Sequence, residues 1–247
     1  MISIKDLHKS FSGKSILRGI SLDIKDGESV AIIGKSGIGK SVLLKHVIGL
    51  LSPDSGEVWV DDNLINSLSF RKLQEIRSQM GMVFQFGALF DSMTVRENIS
   101  LALHKLTKMS EEEITDRIYK SLAEVGMENS ESLMPSELSG GMKKRVGIAR
   151  AIAIKPKYLL YDEPTTGLDP VMTDSINRLI RKFQKEDHIT SIMVTHEIRT
   201  VDDVATRVIM LDDAKIIFDG TPKNIRESDN PVVQQFITGD STIGEII

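Results

Sequence analysis

The chain has 247 residues, a net charge of −4 and no cysteine, which excludes a disulfide-stabilised scaffold. A chain of this length buries about three quarters of the surface that it exposes when unfolded, so we expect a large hydrophobic core. The acidic balance argues against a nucleic-acid partner, because such partners are bound through a concentrated basic surface. No apolar run approaches the roughly 20 residues that cross a bilayer, and the polar start does not resemble a signal peptide, so we expect a cytoplasmic protein.

The first part of the chain alternates apolar and polar residues. Residues 2–9 and 20–25 have the period of half-exposed strands, and turn residues at 12–15 separate them, which predicts an antiparallel sheet. Phe11 comes just before the turn. An aromatic ring there can stack on a nucleotide base, although an ordinary core phenylalanine is the alternative.

A glycine-rich loop, GKSGIGKS at 34–41, follows the apolar run at 30–33 and precedes an amphipathic stretch. The order is therefore strand, loop, helix, and the glycines let the backbone turn its N–H groups around polyphosphate oxygens. We expect Lys40 to reach the terminal phosphates and Ser41 to bind Mg²⁺, at the positive end of the following helix. The predicted phosphate-binding residues are Gly34, Lys35, Ser36, Gly37, Ile38, Gly39, Lys40 and Ser41.

The next region mixes strand and helix patterns. Residues 56–65 predict a hairpin, residues 69–80 a helix and residues 81–85 a buried strand that ends at Gln85. From Phe86 onward the strand character disappears.

Two helical segments follow, at 87–103 and 110–127, and the second opens with a capping box of Ser110 and Glu113. These segments predict an inserted helical subdomain.

The stretch that begins with Ser139, Gly140 and Gly141 precedes a helix that Pro156 ends. A serine and two glycines at a helix start can bind an anion, although an ordinary N-cap turn is the alternative. The basic run at 143–145 indicates either a solvated helix flank or a site for a partner.

A buried strand at 158–161 ends in Asp162 and Glu163, and ligands of open α/β sheets bind at the carboxyl ends of strands. We expect Asp162 to hold Mg²⁺ and Glu163 to orient or deprotonate an attacking water; the alternative is a solvated strand end. A further buried strand at 189–195 ends before His196, which therefore lies at the same edge. His196 is either a hydrogen-bond donor to phosphate or a structural histidine.

Six features occur along the chain in this order: the glycine loop, Gln85, LSGG at 138–141, the strand before Asp162 and Glu163, GLD at 167–169 and His196. With these features the chain resembles the ABC transporter ATPase family over nearly its whole length. The resemblance implies an α/β fold: a P-loop NTPase (RecA-like) core with an antiparallel β subdomain and an inserted α-helical subdomain.

The resemblance also implies the domain boundaries. One ABC ATPase domain spans 1–230, with the ATP-binding core and β subdomain at 1–87 and 151–230, the helical subdomain at 88–150 and a C-terminal tail at 231–247.

In this family two chains face each other head to tail around two ATP molecules, which implies a homodimer with ATP and Mg²⁺ as cofactors. By resemblance Gln85 senses Mg²⁺ and water, Glu163 is the catalytic carboxylate, His196 contacts the γ-phosphate and Asp169 communicates across the interface. Ser139, Gly140 and Gly141 would cover the partner chain's γ-phosphate. Met142 departs from the family, where many members have glutamine.

Met142, the stretch at 84–93 and the tail around 235–236 are similar to the Mla branch, the ATPases of MCE-type phospholipid transporters. Membership implies integral membrane permease partners whose coupling helix docks near Phe86, Leu89 and Phe90, an MCE-type substrate-binding protein, and a peripheral position on the cytoplasmic face of the bacterial inner membrane. A subdomain core is the alternative for those three residues.

Two other functions remain open at this point. The chain could serve a transporter of another small solute, which shares every catalytic residue. It could also be a regulatory or scaffolding ABC ATPase, which would be expected to carry a coiled-coil insert or a basic face.

Overall fold

The computed structural model describes residues 1–186 and 188–240. They form two compact units, one of residues 1–68 with those from 192 onward and one of residues 69–191. The final residues of the predicted tail, 241–247, lie outside the described residues.

The elements of the first half of the chain are β1 (Ile2–Phe11), β2 (Lys14–Ile24), β3 (Ser29–Ile33), α1 (Lys40–Val47), β4 (Ser55–Val60), β5 (Asn63–Leu64), α2 (Phe70–Arg77), β6 (Met80–Val83), α3 (Val95–Leu106) and α4 (Glu111–Glu124). Those of the second half are α5 (Gly140–Ala153), β7 (Tyr158–Asp162), α6 (Pro170–Glu186), β8 (Thr190–Val194), α7 (Ile198–Val204), β9 (Arg207–Asp212), β10 (Lys215–Gly220), α8 (Pro222–Arg226) and α9 (Pro231–Thr238).

The first unit contains an antiparallel sheet with the strand order β2-β1-β4-β5. Ile2 pairs with Ile24 on one side and with Val60 on the other, and all three side chains are buried. Alternation along β1 and β2 places one face of each strand in the core, as the sequence predicts. Strand β2 begins earlier than predicted, because its exposed first residues, Lys14 and Ser15, pair with the end of β1.

The same unit holds the strands that carry the glycine loop, in the order β10-β9-β3-β8. Strand β3 is buried along its whole length and runs parallel to β9, while β9 and β10 form an antiparallel hairpin. A fully buried parallel strand reads as a continuous apolar run, which is the pattern at 30–33. The loop therefore begins at the carboxyl end of a rigid strand.

The second unit combines the strand order β8-β7-β6 with helices α2 to α6, and β8 is divided between the two units after Ser191. Strands β6 and β7 are parallel, with Met80 opposite Tyr158. The predicted capping box starts α4: the Ser110 hydroxyl accepts from the Glu113 amide, and the Glu113 carboxylate accepts from the Ser110 amide.

Two predictions for this unit are wrong. Gln85 does not end the strand, because β6 stops at Val83 and a turn follows in which the Gly87 amide donates to the Phe84 carbonyl. The helix predicted over 87–103 begins only at Val95. Gly87 and Ala88 both have positive φ angles, 75° and 47°, which a right-handed helix does not accommodate.

No helix among the described residues is long and apolar enough to cross a membrane.

Candidate active site

In the first unit the glycine loop wraps tightly after β3. The φ angles of Gly34 and Gly39 are 143° and 110°, a region that side chains disfavour. A Cβ atom at Gly34 would lie 2.4 Å from the Leu211 carbonyl oxygen, and one at Gly39 would lie 2.9 Å from the Ile16 carbonyl oxygen. The loop conformation therefore depends on glycine at both positions.

The loop closes around the amine of Lys40. This side chain is 6% exposed, and its Nζ donates to the carbonyl oxygens of Gly34 at 2.7 Å and Lys35 at 3.0 Å. Among the described residues, the amides of Gly37 and Gly39 have no hydrogen-bond acceptor. N–H groups with no protein acceptor beside a fixed cation at the start of α1 fit a polyphosphate.

The first unit also places His196 at the edge that carries the loop. The Thr195 amide donates to the Ile32 carbonyl at 3.2 Å, so His196 follows β8 beside the end of β3, and its side chain is exposed.

Phe11 ends β1 with 44% of its surface exposed, and the Lys9 ammonium lies 5.4 Å from its ring centroid. The core alternative for Phe11 is therefore wrong, and base stacking stays a prediction.

In the second unit Asp162 ends β7 and Glu163 begins the turn after it. Both are partly buried, so the alternative of a fully solvated strand end does not describe them. Glu163 has a φ of 52°, which is uncommon for a residue with a side chain. The Thr166 hydroxyl donates to the Glu163 Oε2 at 2.8 Å, which fixes the carboxylate relative to the turn.

The predicted signature residues form the start of α5. Ser139 caps the helix by accepting from the Met142 amide at 3.3 Å, as the N-cap alternative predicts. Ser139 and Gly140 are exposed, so the amide end of α5 is open to solvent. Gly141 is buried, and a Cβ atom there would lie 2.2 Å from the Met172 Cε.

Asp169 caps the neighbouring helix α6. Its Oδ1 accepts from the amides of Val171 at 2.9 Å and Met172 at 3.0 Å. The Asp169 turn and the start of α5 therefore meet through Met172. Communication of Asp169 with a second chain stays a prediction.

The segment after Gln85 lies against α5. Arg150 donates to the carbonyl oxygens of Gly87 and Ala88, both at 2.8 Å, and the Gly147 position is close enough that a Cβ there would lie 3.2 Å from Gly87 Cα. Phe86 and Phe90 remain 78% and 50% exposed. The subdomain-core alternative is therefore wrong for these two rings, and Leu89 is intermediate in exposure.

Two residues of the basic run at 143–145 make contacts inside the protein that the sequence does not predict. Lys144 is buried, and its Nζ donates to the carbonyl oxygens of Thr166 and Glu163. Arg145 donates to the Val125 carbonyl and to the Ser175 hydroxyl, so the solvated-flank interpretation is wrong for both. The available signal was helical spacing, because Lys144 shares the buried face of α5 with Ile148, Ala151 and Ile152.

A metal would have few protein ligands here. Within the described ranges no group of three or more His, Cys, Asp or Glu residues could hold a metal ion. Mg²⁺ in nucleotide sites needs no such cluster, since one carboxylate, a hydroxyl, phosphate oxygens and water complete its octahedron. The Ser41 hydroxyl of the first unit and the Asp162 carboxylate of the second unit are ligands of these two types.

A glycine loop after a buried parallel strand, a carboxylate pair after β7 and a capped Ser-Gly-Gly helix start together define a P-loop NTPase. A solved dimeric ATP-binding cassette in a post-hydrolysis state, with ADP and Pi bound, is similar to this chain with a TM-score of 0.83 and 34% identity, covering 90% of this chain and 99% of that one. The predicted fold class is confirmed.

Residues 17–166 match the family described as "ABC transporter". Three relatives cover nearly the whole chain. The Arabidopsis thaliana Protein TRIGALACTOSYLDIACYLGLYCEROL 3, chloroplastic, is 41% identical, covering 97% of this chain and 74% of that protein. The Haemophilus influenzae Intermembrane phospholipid transport system ATP-binding protein MlaF is 38% identical, covering 98% and 91%. The Mycobacterium leprae Probable ribonucleotide transport ATP-binding protein mkl is 40% identical, covering 96% and 69%.

The chain belongs to the ABC transporter family as its ATP-binding, ATP-hydrolysing subunit. Its similarity to MlaF agrees with the Mla branch that the sequence resembles.

Proposed function

We propose that this ATPase energises phospholipid transport through membrane permease subunits. The observation that carries the proposal is the similarity to MlaF, a protein named for intermembrane phospholipid transport, at 38% identity over 98% of this chain and 91% of MlaF. An alignment that extends over nearly all of both chains includes the segments outside the nucleotide loops. They include the segment around Phe86, Leu89 and Phe90, where we expect the permease to dock.

The first unit supplies phosphate binding. The amides of the 34–41 loop and the ammonium of Lys40 hold the β- and γ-phosphates, and His196 donates to the γ-phosphate. Phe11 stacks on the base. These groups neutralise charge and fix the position of the phosphoryl group, which provides most of the rate enhancement in phosphoryl transfer.

The second unit supplies the groups that act on water and metal. Glu163 orients or deprotonates the attacking water, and Gln85 contacts that water and Mg²⁺. Asp162, with Ser41 of the loop, holds Mg²⁺, which neutralises the charge that develops on the phosphate oxygens.

Two copies of the chain form a head-to-tail homodimer. The helix start of one copy, with exposed Ser139 and Gly140 followed by buried Gly141, then covers the γ-phosphate bound by the other, and Asp169 lies at the junction. ATP binds the closed dimer more tightly than the open one, and a shift from 1:99 to 99:1 requires about 5.5 kcal/mol of differential binding. Hydrolysis removes that difference and resets the dimer.

The permease docks on the segment around Phe86, Leu89 and Phe90. Exposed aromatic rings on a segment held at 87–88 by Arg150 form a rigid apolar anchor for a short helix. The chain is then peripheral on the cytoplasmic face of the inner membrane, in a complex that includes an MCE-type substrate-binding protein.

The test is purification of the tagged chain from membranes of its native host in mild detergent, followed by identification of the co-purifying proteins and lipids. We expect a permease, an MCE-type protein and bound phospholipid. The reconstituted complex should hydrolyse ATP and move a labelled phospholipid between vesicles only when Mg²⁺ and ATP are both present. A complex that contains a permease but moves no phospholipid would contradict the lipid assignment and leave the ATPase assignment intact.

A second candidate is transport of another small solute, favoured by the mkl relative, which is 40% identical and named for ribonucleotide transport. Stimulation of ATP hydrolysis in the reconstituted complex by ribonucleotides and not by phospholipid would support that candidate. Recovery of the chain without any membrane partner would favour a scaffolding function.

A further inference from the structure

Helix α5 carries a buried cation that the nucleotide chemistry does not use. Lys144 is 5% exposed and stands one helical turn after Gly140, where α5 begins. A buried ammonium is costly unless it is satisfied by acceptors. Its Nζ donates to the Thr166 carbonyl oxygen at 2.7 Å and lies 3.4 Å from that of Glu163, so a single amine bridges both ends of one turn.

The turn that Lys144 bridges holds Glu163 in an unfavourable conformation. Glu163 has a left-handed φ of 52°, and such a conformation persists only when the surrounding structure imposes it. The Thr166 hydroxyl donates to the Glu163 Oε2 at 2.8 Å. Lys144 therefore fixes the backbone at both ends of the turn, while Thr166 fixes the carboxylate.

We propose that Lys144 is a positioning residue for ATP hydrolysis, which ties the 163–166 turn to α5 and thereby orients the Glu163 carboxylate through Thr166. The proposal rests on the proposed catalytic role of Glu163. It also means that displacement of the start of α5, whose Ser139 and Gly140 are exposed, moves the turn that carries Glu163. Contact of a partner chain with that helix start then changes the orientation of the carboxylate.

The main test compares Lys144→Met with Lys143→Met in the assembled complex. Methionine keeps the length of the side chain and removes the charge and the donors, and Lys143 is the adjacent, half-exposed residue of the same helix. A misplacement of about 1 Å at a reacting group costs up to about 100-fold in rate, so we expect kcat to fall about 10- to 100-fold in Lys144→Met. The Kd for ATP should change less than about twofold, and Lys143→Met should keep both values. Unchanged kcat in a folded Lys144→Met, or equal losses in kcat and ATP affinity, would overturn the proposal.

A second pair of variants applies if Lys144→Met does not fold, as judged by circular dichroism. Thr166→Val removes the hydroxyl that holds the carboxylate, and Thr166→Ser keeps it. We expect a lower kcat with unchanged ATP affinity for valine and near wild-type kcat for serine. Equal rates for valine and serine would contradict the proposed route through Thr166.

The background Glu163→Gln separates this inference from the proposed function. If Glu163 is the catalytic carboxylate, Glu163→Gln turns over slowly, and adding Lys144→Met or Thr166→Val lowers the residual rate no further. Near-normal turnover of Glu163→Gln would refute the catalytic role of Glu163. Slow turnover of Glu163→Gln together with normal turnover of folded Lys144→Met or of Thr166→Val would refute the positioning role alone.

Discussion

At the scale of single residues, two buried lysines have the same local chemistry and different positions. Lys40 and Lys144 are 6% and 5% exposed, and each amine donates to two backbone carbonyl oxygens. Lys40 stabilises a loop whose amides remain available to an anion, whereas Lys144 ties a turn to a helix. The charge of Lys40 is therefore available to a ligand, and that of Lys144 maintains geometry.

Lys40→Ala should abolish nucleotide binding, since it removes both the cation for the phosphates and the two hydrogen bonds that shape the loop. The measurement is isothermal titration with ATP and Mg²⁺. Lys45→Ala, on the same helix and half-exposed, is the matched control and should bind normally. Wild-type ATP affinity in Lys40→Ala would refute the assignment of the loop.

His46 should make stability depend on pH. Burial is the main cause that lowers the pKa of His46 below its ordinary 6.5, with the charge of Lys9 adding to it, while the Val42 hydrogen bond and Asp54 oppose it. Above pH 6.5 the folded state therefore holds a neutral imidazole. The unfolded state binds the proton more tightly than the folded state. The stability that the neutral His46 contributes is therefore complete above pH 6.5 and is lost as pH falls below 6.5.

The measurement is urea unfolding at pH 7.5 and pH 5.5. We expect the wild type to lose stability between the two values and His46→Gln to lose less. An identical pH dependence in His46→Gln would show that other groups cause it.

At the scale of elements, one buried asparagine holds the irregular segment that the sequence predicts as helix. Asn98 of α3 is fully buried. Its amide donates to the carbonyl oxygens of Phe90 at 3.2 Å, Met93 at 3.0 Å and Thr94 at 3.0 Å, and its Oδ1 accepts from the Phe90 amide at 2.8 Å. These bonds satisfy backbone groups that a helix would have satisfied internally.

Asn98→Ala should lower the free energy of unfolding by about 2 kcal/mol, because it leaves buried backbone groups without partners. Urea denaturation gives the value, and proteolysis should become faster within 86–94. Ser100→Ala, at a half-exposed position of the same helix, is the control and should change stability by less than about 0.5 kcal/mol. A loss as small as that of the control would mean that water satisfies these groups.

At the scale of the whole molecule, the exposed rings after β6 should matter only in the assembled transporter. Phe86 and Phe90 are exposed, so changing both to serine should leave folding and ATP binding intact. We expect loss of permease co-purification and of transport in Phe86→Ser/Phe90→Ser. Tyr119 of α4 is an aromatic residue with 48% of its surface exposed. The control variant Tyr119→Ser should assemble normally. Retained assembly and transport in the double variant would place the permease contact elsewhere.

The family, most of the elements and the position of the glycine loop can be predicted from the sequence alone. These features are local: spacing from Gly34 to Ser41, the continuous apolar run of β3, the capping box at Ser110 and the order of motifs along the chain. Each depends on neighbours within a few residues, so it can be predicted from the amino-acid sequence.

The sequence does not predict the burial of Lys144, the exposure of Phe86 and Phe90 or the turn that displaces Gln85 from its strand. Each depends on packing between elements distant in sequence: Lys144 against the turn after β7, and the Gly87 turn against α5. A lysine beside another lysine and an arginine predicts a solvated surface, because charge is costly to bury unless acceptors surround it. The carbonyl oxygens of Glu163 and Thr166 are those acceptors. The sequence around Lys144 does not predict that the folded chain places them beside its amine.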